Sequence, residues 1–266
     1  MKLIKAHAYG NDFLLHEGRL QAHADWEATA RAVCERHRGL GADGLIIFGT
    51  TEEEVMMRLL NADGSPSEVS GNGVRCLAAW IAAARGLEPG GVIGIRTDAG
   101  VKRLTLLKKD AGTFTFRAAM GHPEQIDRVP LDAGGERVDA VTMRVGNPQC
   151  VVLGGGLTRE RLHSVAAALS THPHFPEGTN VELAAVESPE RVRILIWERG
   201  VGPTEASGTG ACASAVAAIQ FGGASRAADV VSPGGTQRVE WLDDGIYLTG
   251  AASLVAHIEA FDIDTP

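Results

Sequence analysis

Hydrophobic and polar residues alternate along short stretches of this chain in the way that is typical of half-buried β-strands. These stretches are 44–48, 55–60, 92–97, 103–107 and 113–118 in the first half, and 142–145, 150–153, 181–186, 191–198 and 245–249 in the second. Four longer segments have helical character instead. Residues 25–36 and 160–169 are amphipathic, whereas 72–85 and 209–221 are apolar on nearly every side.

The two apolar helices say most about the fold. A helix that is apolar all round is stable only when it is buried on every side. One such helix among many short strands predicts a sheet that wraps around it, and the chain contains this combination twice. We therefore expect an α+β fold with two β-barrel-like halves, each built around a central apolar helix. A doubly wound sheet would need strands and helices in strict alternation, which the pattern lacks.

A long internal repeat supports this division. Gly-Asn-Asp at 10–12 recurs as Gly-Asn-Pro at 146–148, Gly-Ala-Asp at 41–43 as Gly-Thr-Asn at 178–180, and Ser-Gly-Asn-Gly at 70–73 as Ser-Gly-Thr-Gly at 207–210. The matches keep their order and nearly the same spacing, so chance is a poor explanation. We predict two homologous halves, residues 1–130 and 131–266, with a turn-rich boundary at 130–135. We also expect residues 248–261 to return and pack on the first half.

Composition and charge narrow the range of partners. The 266 residues carry a net charge of −8, which disfavours nucleic acid and anionic membranes because both attract basic surfaces. No apolar run approaches the roughly 20 residues of a membrane-spanning helix, and the N-terminus does not look like a secretory signal. The four cysteines form no CxxC pair, so we expect buried thiols and no metal site. We predict a cytoplasmic protein with a small-molecule partner.

Both apolar helices begin at a Ser-Gly-x-Gly sequence. Glycine lets backbone N–H groups approach a ligand closely, and a helix start offers unsatisfied N–H donors and a positive dipole end. Each start therefore predicts a site for an anion, with a carboxylate as the natural guest. Duplication would place Ser70 and Ser207 on opposite sides of one ligand. That is the geometry of a racemase, in which one group removes a proton and the other delivers one.

Six segments make the chain resemble the diaminopimelate epimerase family. They are KAHAYGNDF, RHRGLGADGL, NADGSPSEVSGNGVRC, VGNPQC, GTNVEL and ERGVGPTEASGTGAC, and they extend from residue 5 to residue 212. As an ordered set they are highly specific. The resemblance implies paired barrel-like halves with central helices and no metal or pyridoxal phosphate cofactor. It also implies inversion at one α-carbon of LL- or meso-diaminopimelate, a step of lysine and peptidoglycan-precursor synthesis.

The same resemblance assigns roles to individual residues. The catalytic positions are Ser70, Ser207 and Glu198, and both serines stand where the family has cysteine. The substrate-binding positions are Asn11, Asn61, Gly71, Asn72, Asn147, Asn180, Glu198, Arg199, Gly208 and Thr209. The glycines, Asn72 and Thr209 would contribute backbone N–H groups. Arginine can pair with a carboxylate through two hydrogen bonds, while amides and a carboxylate can hold an ammonium group. A substrate with an amino acid at each end needs such a double set.

The chain departs from the family pattern at the catalytic serines and at two further positions. Gln149 stands where the family has histidine, and Gly44 where it often has glutamine. A thiol at a helix start titrates near neutral pH, whereas a serine hydroxyl needs a separate base. Gln149 cannot be that base, so we expect weak or absent epimerase activity.

Two other functions stay open on the sequence alone. One is a related racemase or isomerase for a different amino acid, with Gly44 widening the pocket. The other is a catalytically silent amino-acid-binding protein that keeps the scaffold, in which the four asparagines could also be ordinary turn residues. Relatives of this kind can pair through exposed strand edges, so a homodimer is a further expectation.

Overall fold

A computed structural model of the chain describes residues 1–18, 25–51, 54–67 and 69–261. It divides into two compact units. The first consists of residues 1–118 together with the C-terminal segment from Gly250, and the second extends from Ala119 to Thr249. The predicted division into 1–130 and 131–266 describes two homologous halves of the sequence, whereas the two units are defined by their spatial contacts. The homologous halves stay a prediction.

Eight strands of the first unit form a closed barrel. The strands of this unit are β1 (Lys2–Ala8), β2 (Asn11–Glu17), β3 (Gly44–Thr50), β4 (Val55–Asn61), β5 (Pro66–Ser67), β6 (Val92–Thr97), β7 (Gly100–Asp110), β8 (Thr113–Gly121) and β17 (Gly245–Glu259). Strand β8 belongs to this unit as far as Ala118, and β17 belongs to it from Gly250 onward. The barrel runs from β1 through β2, β3, β4, β6, β7 and β8. Strand β17 closes it by pairing with β8 and with β1, while the short β5 pairs with β4.

Two helices accompany this barrel, one inside and one outside. The outer helix, α1 (Trp26–Cys34), buries Ala30 and Val33 against outward-facing strand residues. The inner helix, α2 (Gly71–Ala84), is buried at every position from Asn72 to Ala79. It packs against β1, β2, β6 and β7, and its side chains share one core with the strands. A nearly all-apolar sequence thus becomes a central helix, as its pattern predicts.

The second unit has the same kind of architecture. Its strands are β9 (Glu124–Ala133), β10 (Glu136–Val145), β11 (Asn147–Leu153), β12 (Asn180–Ser188), β13 (Arg191–Glu198), β14 (Gly202–Thr204), β15 (Ala227–Ser232) and β16 (Gly235–Leu242), together with the part of β17 that ends at Thr249. They pair in the order β9, β10, β11, β12, β13, β15, β16, β17, with β14 beside β13.

The helices of the second unit also fall into a connecting and a central kind. The connection from β11 to β12 contains α3 (Arg159–Arg161), a π-helical turn (Leu162–Ala166) and α4 (Ala167–Ser170). The central helix, α5 (Gly208–Phe221), is buried at every position from Gly210 to Ala218. It packs against β10, β11, β12, β13, β15 and β16. The predicted central helix of the second half is therefore confirmed.

The two units repeat one topology. In each, a hairpin is followed by a helical crossover to a parallel neighbour, so that β2 pairs in parallel with β3 and β11 with β12. Phe13 lies opposite Gly44 in the first of these parallel pairs, and Gln149 lies opposite Asn180 in the second. These agreements confirm the predicted α+β fold with a strand-wrapped helix in each half.

The structure adds elements that the sequence pattern does not predict. Strands β1, β2, β5, β9, β14, β15 and β16 lie outside the predicted stretches. Strand β9 shows why, because most of its positions are exposed or half-buried and little of it is apolar enough to stand out. The helix predicted at 160–169 is present, but its middle is the π-helical turn, which keeps Leu162, Val165 and Ala166 buried.

All four cysteines, Cys34, Cys76, Cys150 and Cys212, are free and buried, as predicted. Burial raises the pKa of the Cys76 thiol to about 12, so this group stays neutral and behaves as a small apolar side chain. Within the described ranges, no helix is long and apolar enough to cross a membrane.

Candidate active site

Each central helix begins at a serine that caps it. Ser70 has extended backbone angles (φ −125°, ψ 123°), and its hydroxyl accepts a hydrogen bond from the Gly73 N–H at 3.2 Å. Ser207 repeats this geometry with φ −134° and ψ 132°, and its hydroxyl accepts from the Gly210 N–H, also at 3.2 Å. Serine is a preferred cap because its oxygen satisfies an N–H that the helix leaves unpaired. The Ser-Gly-x-Gly sequence therefore builds the same local structure twice.

The third residue of each helix lies against a different neighbour. At Gly73, a Cβ atom would lie 3.0 Å from Cδ1 of Ile46. At Gly210, it would overlap the Glu182 carboxyl group, with the Glu182 Cδ atom at 3.0 Å and the Ser207 Cβ atom at 3.2 Å. The start of α2 thus packs against the apolar side chain of Ile46, and the start of α5 packs against the carboxyl group of Glu182.

A chain of hydrogen bonds joins two predicted binding residues of the first unit. The buried Asn72 donates to Asn11 Oδ1 at 3.2 Å, and Asn11 donates to Asp43 Oδ2 at 2.8 Å. The buried Arg75 donates to Asn72 Oδ1 from the next turn of α2. Both amides therefore accept through oxygen and donate through nitrogen, which fixes their orientation. The structure brings Asn11 and Asn72 together at the start of the helix.

An ionic cluster stands behind Asn11. Asp12 lies 2.5 Å from Lys5 Nζ and 2.8 Å from Arg36 Nη2, and Arg36 also reaches Asp43 at 2.8 Å. Burial opposes ionisation of Asp12, but Arg36 and Lys5 outweigh it and lower the pKa of Asp12 below its ordinary value. Sequence reasoning missed this cluster, although an aspartate ends both the GND and the GAD motif.

Asn61 makes the contacts of a turn residue. Its amide donates to Ser65 Oγ at 2.9 Å, and the Ser65 hydroxyl donates to Asp63 Oδ1 at 2.6 Å. Asn61 is exposed at the end of β4. Its role in substrate binding stays a prediction.

Gly44 has a packing role in the sheet. A Cβ atom at this position would lie 2.8 Å from the Leu60 carbonyl oxygen and 3.3 Å from side-chain atoms of Leu59 and Phe13. Backbone cannot give way as a flexible side chain can. The glutamine that the family often has here would therefore require β3 and β4 to shift, and glycine is explained by the close approach of these strands.

The second unit holds its candidate residues on β11, β12 and the end of β13. The fully buried Gln149 donates to Asn147 Oδ1 at 2.5 Å. Asn180, opposite Gln149 in the parallel pair, accepts from the Arg199 N–H at 2.9 Å. The Arg199 guanidinium donates to the Glu177 carbonyl oxygen at 2.7 Å. The structure thus joins Asn180 to Arg199 and Asn147 to Gln149 at neighbouring positions of one sheet.

Glu182 is a buried acid that sequence reasoning missed. It follows Asn180 by two positions on β12, so the two side chains point to one face of the sheet, and it is fully buried. It lies opposite Ile196 on β13, two positions before Glu198. Burial raises the pKa of Glu182 well above its ordinary value, and the charge of Glu198 raises it further. The signal in the sequence is a charged residue between the apolar residues of Val-Glu-Leu.

The chemistry available at the helix starts is that of N–H donors, hydroxyls, amides and a carboxyl group. N–H groups at a helix start bind carboxylates, and a hydroxyl with an acid or base behind it can transfer protons. Among the residues that the structure describes, no three His, Cys, Asp or Glu side chains gather closely enough to hold a metal ion.

Solved structures place the fold among those of epimerases. The chain aligns with a predicted epimerase of Pseudomonas aeruginosa at a TM-score of 0.73 and 16% identity, over 97% of this chain and 98% of that one. A hydroxyproline epimerase of Agrobacterium vitis, solved with bound trans-4-hydroxy-L-proline, aligns at a TM-score of 0.69 and 15% identity, over 99% and 93% of the two chains. At these identities the likeness concerns the fold alone, and it defines the class as an epimerase-type fold.

Sequence comparison is more specific. The profile of the diaminopimelate epimerase family matches residues 3–126 and 141–255. The diaminopimelate epimerase of Desulforudis audaxviator is 40% identical over 96% of this chain and 97% of that protein. The chain belongs to the diaminopimelate epimerase family, and thereby to the isomerases. The predicted family and enzyme class are confirmed.

Proposed function

We propose that this protein is an epimerase that inverts one α-carbon of LL- or meso-diaminopimelate by proton transfer, without a metal or an organic cofactor. The pair of equivalent serine-capped helix starts, in a chain of this family, carries the proposal. Each start offers N–H groups for a carboxylate and a hydroxyl beside them. Diaminopimelate has a carboxylate and an ammonium group at each end, which matches this duplicated set. The reaction belongs to lysine biosynthesis, and we propose that it takes place in the cytoplasm.

Substrate binding in this proposal is divided among four kinds of group. The N–H groups of Gly71, Asn72, Gly208 and Thr209 bind carboxylate oxygens. The guanidinium of Arg199 can bind a carboxylate through two parallel hydrogen bonds. The ammonium groups are held by Glu198 and by the amide oxygens of the asparagines, which are Asn11, Asn61, Asn147 and Asn180.

Proton transfer in this proposal is performed by Ser70 and Ser207. Inversion needs a group that removes the α-proton and a second group that delivers one to the opposite face. Serine hydroxyls ionise far above neutral pH and depend on a partner, so we propose that turnover is slow. Glu198, next to the binding residue Arg199, holds the substrate ammonium in place during the transfer.

Conversion of LL- to meso-diaminopimelate, followed by chiral chromatography, tests this function. We expect slow conversion above a protein-free control, and loss of conversion in a Ser70→Ala/Ser207→Ala variant. Glu187→Gln is a matched surface control, because Glu187 forms ion pairs only with Arg191 and Arg193 among its described contacts. Conversion of another amino acid but not of diaminopimelate would show that the proposed substrate is wrong. Binding of diaminopimelate without any conversion would indicate a binding protein that does not catalyse epimerisation.

A further inference from the structure

The capacity of Ser207 for proton transfer depends on the side chains that surround it. A serine hydroxyl can act as an acid or a base near neutral pH only with a titratable partner. Glu182 and Ser207 meet at one glycine, since a Cβ atom at Gly210 would lie 3.0 Å from the Glu182 Cδ atom and 3.2 Å from the Ser207 Cβ atom. Because Gly210 has no side chain, nothing of its own stands between the carboxyl group and the serine.

Glu182 is built into this position by the fold. It lies on β12, whose neighbours are β11 and β13, and it is fully buried. The charge of Glu198 on β13 acts on it, and Glu182 in turn acts on the buried thiol of Cys150 on β11. Burial, together with the charge of Glu198, raises the pKa of Glu182 well above its ordinary value. The thiol stays neutral because burial raises the pKa of Cys150 as well.

The first helix start has a different arrangement. The residue that meets Gly73 there is Ile46, which occupies on β3 the place that Glu182 occupies on β12. The helix contacts establish this, because Ile46 is the strand side chain that a Cβ atom at Gly73 would meet, and Glu182 is the one that a Cβ atom at Gly210 would meet. An apolar side chain in one copy and a carboxyl group in the other indicate a function for Glu182 beyond supporting the helix.

We infer that Glu182 is a positioning residue that exchanges a proton with Ser207 and so gives the second helix start its acid–base partner. This inference rests on the proposed function, because it concerns one arm of the same proton transfer. When the arm donates, the Ser207 O–H bond breaks and its proton forms the new C–H bond at the substrate carbanion. The Glu182 O–H bond breaks in turn, its proton passes to Ser207 Oγ, and Glu182 is left as a carboxylate. When the arm accepts, each transfer runs in reverse.

The test compares Glu182→Gln with wild type and with Glu187→Gln, which removes an exposed carboxyl group from the same strand. Glutamine keeps the size and hydrogen-bonding capacity of the side chain but holds no transferable proton at this position. We expect kcat for diaminopimelate epimerisation to fall about 100-fold in Glu182→Gln, with KM changed less than about threefold. The wild-type pH–rate profile should contain a limb that Glu182→Gln lacks, and Glu182→Asp should recover part of the rate. Glu187→Gln should behave as wild type.

A second readout does not depend on activity. Carbon-13 NMR of labelled glutamate side chains should show that the Glu182 carboxyl group keeps its proton through the range where exposed glutamates ionise. Wild-type turnover with an unaffected Glu182→Gln variant, or a Glu182 that ionises with the exposed glutamates, would overturn the inference and leave the proposed function standing. Absence of turnover in wild type under all conditions would instead remove the proposed function, and this inference with it.

Discussion

The two helix starts are nearly identical in backbone and different in chemistry. Ser70 and Ser207 cap their helices with the same hydrogen bond, at 3.2 Å in each case, and with closely similar backbone angles. Below the first start lie Ile46 and the ring of Phe13, whereas below the second lies the carboxyl group of Glu182. The duplicated fold therefore keeps the same helix-start geometry in both copies, while the side chains packed against it differ.

The backbone conformation of a helix start and its capacity for proton transfer therefore depend on different residues. A carboxylate needs N–H groups at a helix start, and any sequence that forms the cap provides them. Proton transfer needs a group that titrates in a useful range, and that depends on one side chain packed against each start. Substitutions at the serines and at the residues packed against them test this difference between the two helix starts.

The largest effect is expected from restoring thiols at both starts. Ser70→Cys/Ser207→Cys should raise the rate of diaminopimelate epimerisation by about 100-fold or more, because a thiol at a helix start titrates near neutral pH. Chiral chromatography at several pH values provides the measurement. An unchanged or lower rate in a folded double variant would show that the thiols are not what limits this site.

The single variants measure the asymmetry directly. Ser70→Cys should raise the rate more than Ser207→Cys, roughly tenfold against a few-fold, because Ser207 has Glu182 as a partner and Ser70 rests on Ile46. Both gains should be much smaller than that of the double variant, since inversion needs an acid and a base together. Equal gains from the two single variants would argue that the helix starts are chemically equivalent.

Alanine at the two supporting glycines should affect stability unequally. Gly210→Ala would press its methyl group into the Glu182 carboxyl group and should reduce the free energy of unfolding by about 2 kcal/mol. Gly73→Ala meets only the end of the Ile46 side chain, which can move, and the helix propensity of alanine offsets part of the cost, so a change of about 1 kcal/mol or less is expected. Denaturant titration of both variants measures this difference, and equal losses of stability would show that the residues packed against the two glycines constrain them equally.

The smallest effect concerns the pH dependence of stability. A glutamate whose pKa is raised by folding stabilises the folded state fully below its unfolded pKa, about 4.3, and loses that contribution as pH rises through the folded pKa. The free energy of unfolding of wild type, compared with Glu182→Gln, should therefore decline as pH increases above this value. Parallel curves for the two proteins would mean that Glu182 ionises as easily in the folded chain as in the unfolded one.

The sequence was most informative where one pattern repeats over many residues. The two apolar helices and the three repeated motifs were enough to predict a strand-wrapped helix in each half. Strands such as β9 were missed because a strand with few buried positions has little apolar pattern. The sequence at 160–169 predicts a continuous helix and does not indicate the π-helical turn in its middle.

The positions of the two serines at the starts of the central helices were predictable from the motifs, whereas the contacts around them were not. The contact of Glu182 with Gly210 depends on the register of β12 and on the packing of α5 against it. The cluster of Asp12, Lys5 and Arg36 likewise joins residues from three separate segments. Gly44 looked like a change in the substrate pocket, and only its distance to the Leu60 carbonyl oxygen reveals a packing reason.

Incorporation of solvent deuterium reveals whether this chain removes and returns the α-proton of diaminopimelate. LL-diaminopimelate is incubated in D₂O with wild-type protein, with the Ser70→Ala/Ser207→Ala variant and without protein, and deuterium at Cα is measured by mass spectrometry. We expect incorporation at Cα with wild type, accompanied by the meso isomer, and none above the protein-free level with the variant. Wild-type incorporation no greater than that of the variant would show that Ser70 and Ser207 do not transfer this proton, because exchange at Cα is detected even where net conversion is slow.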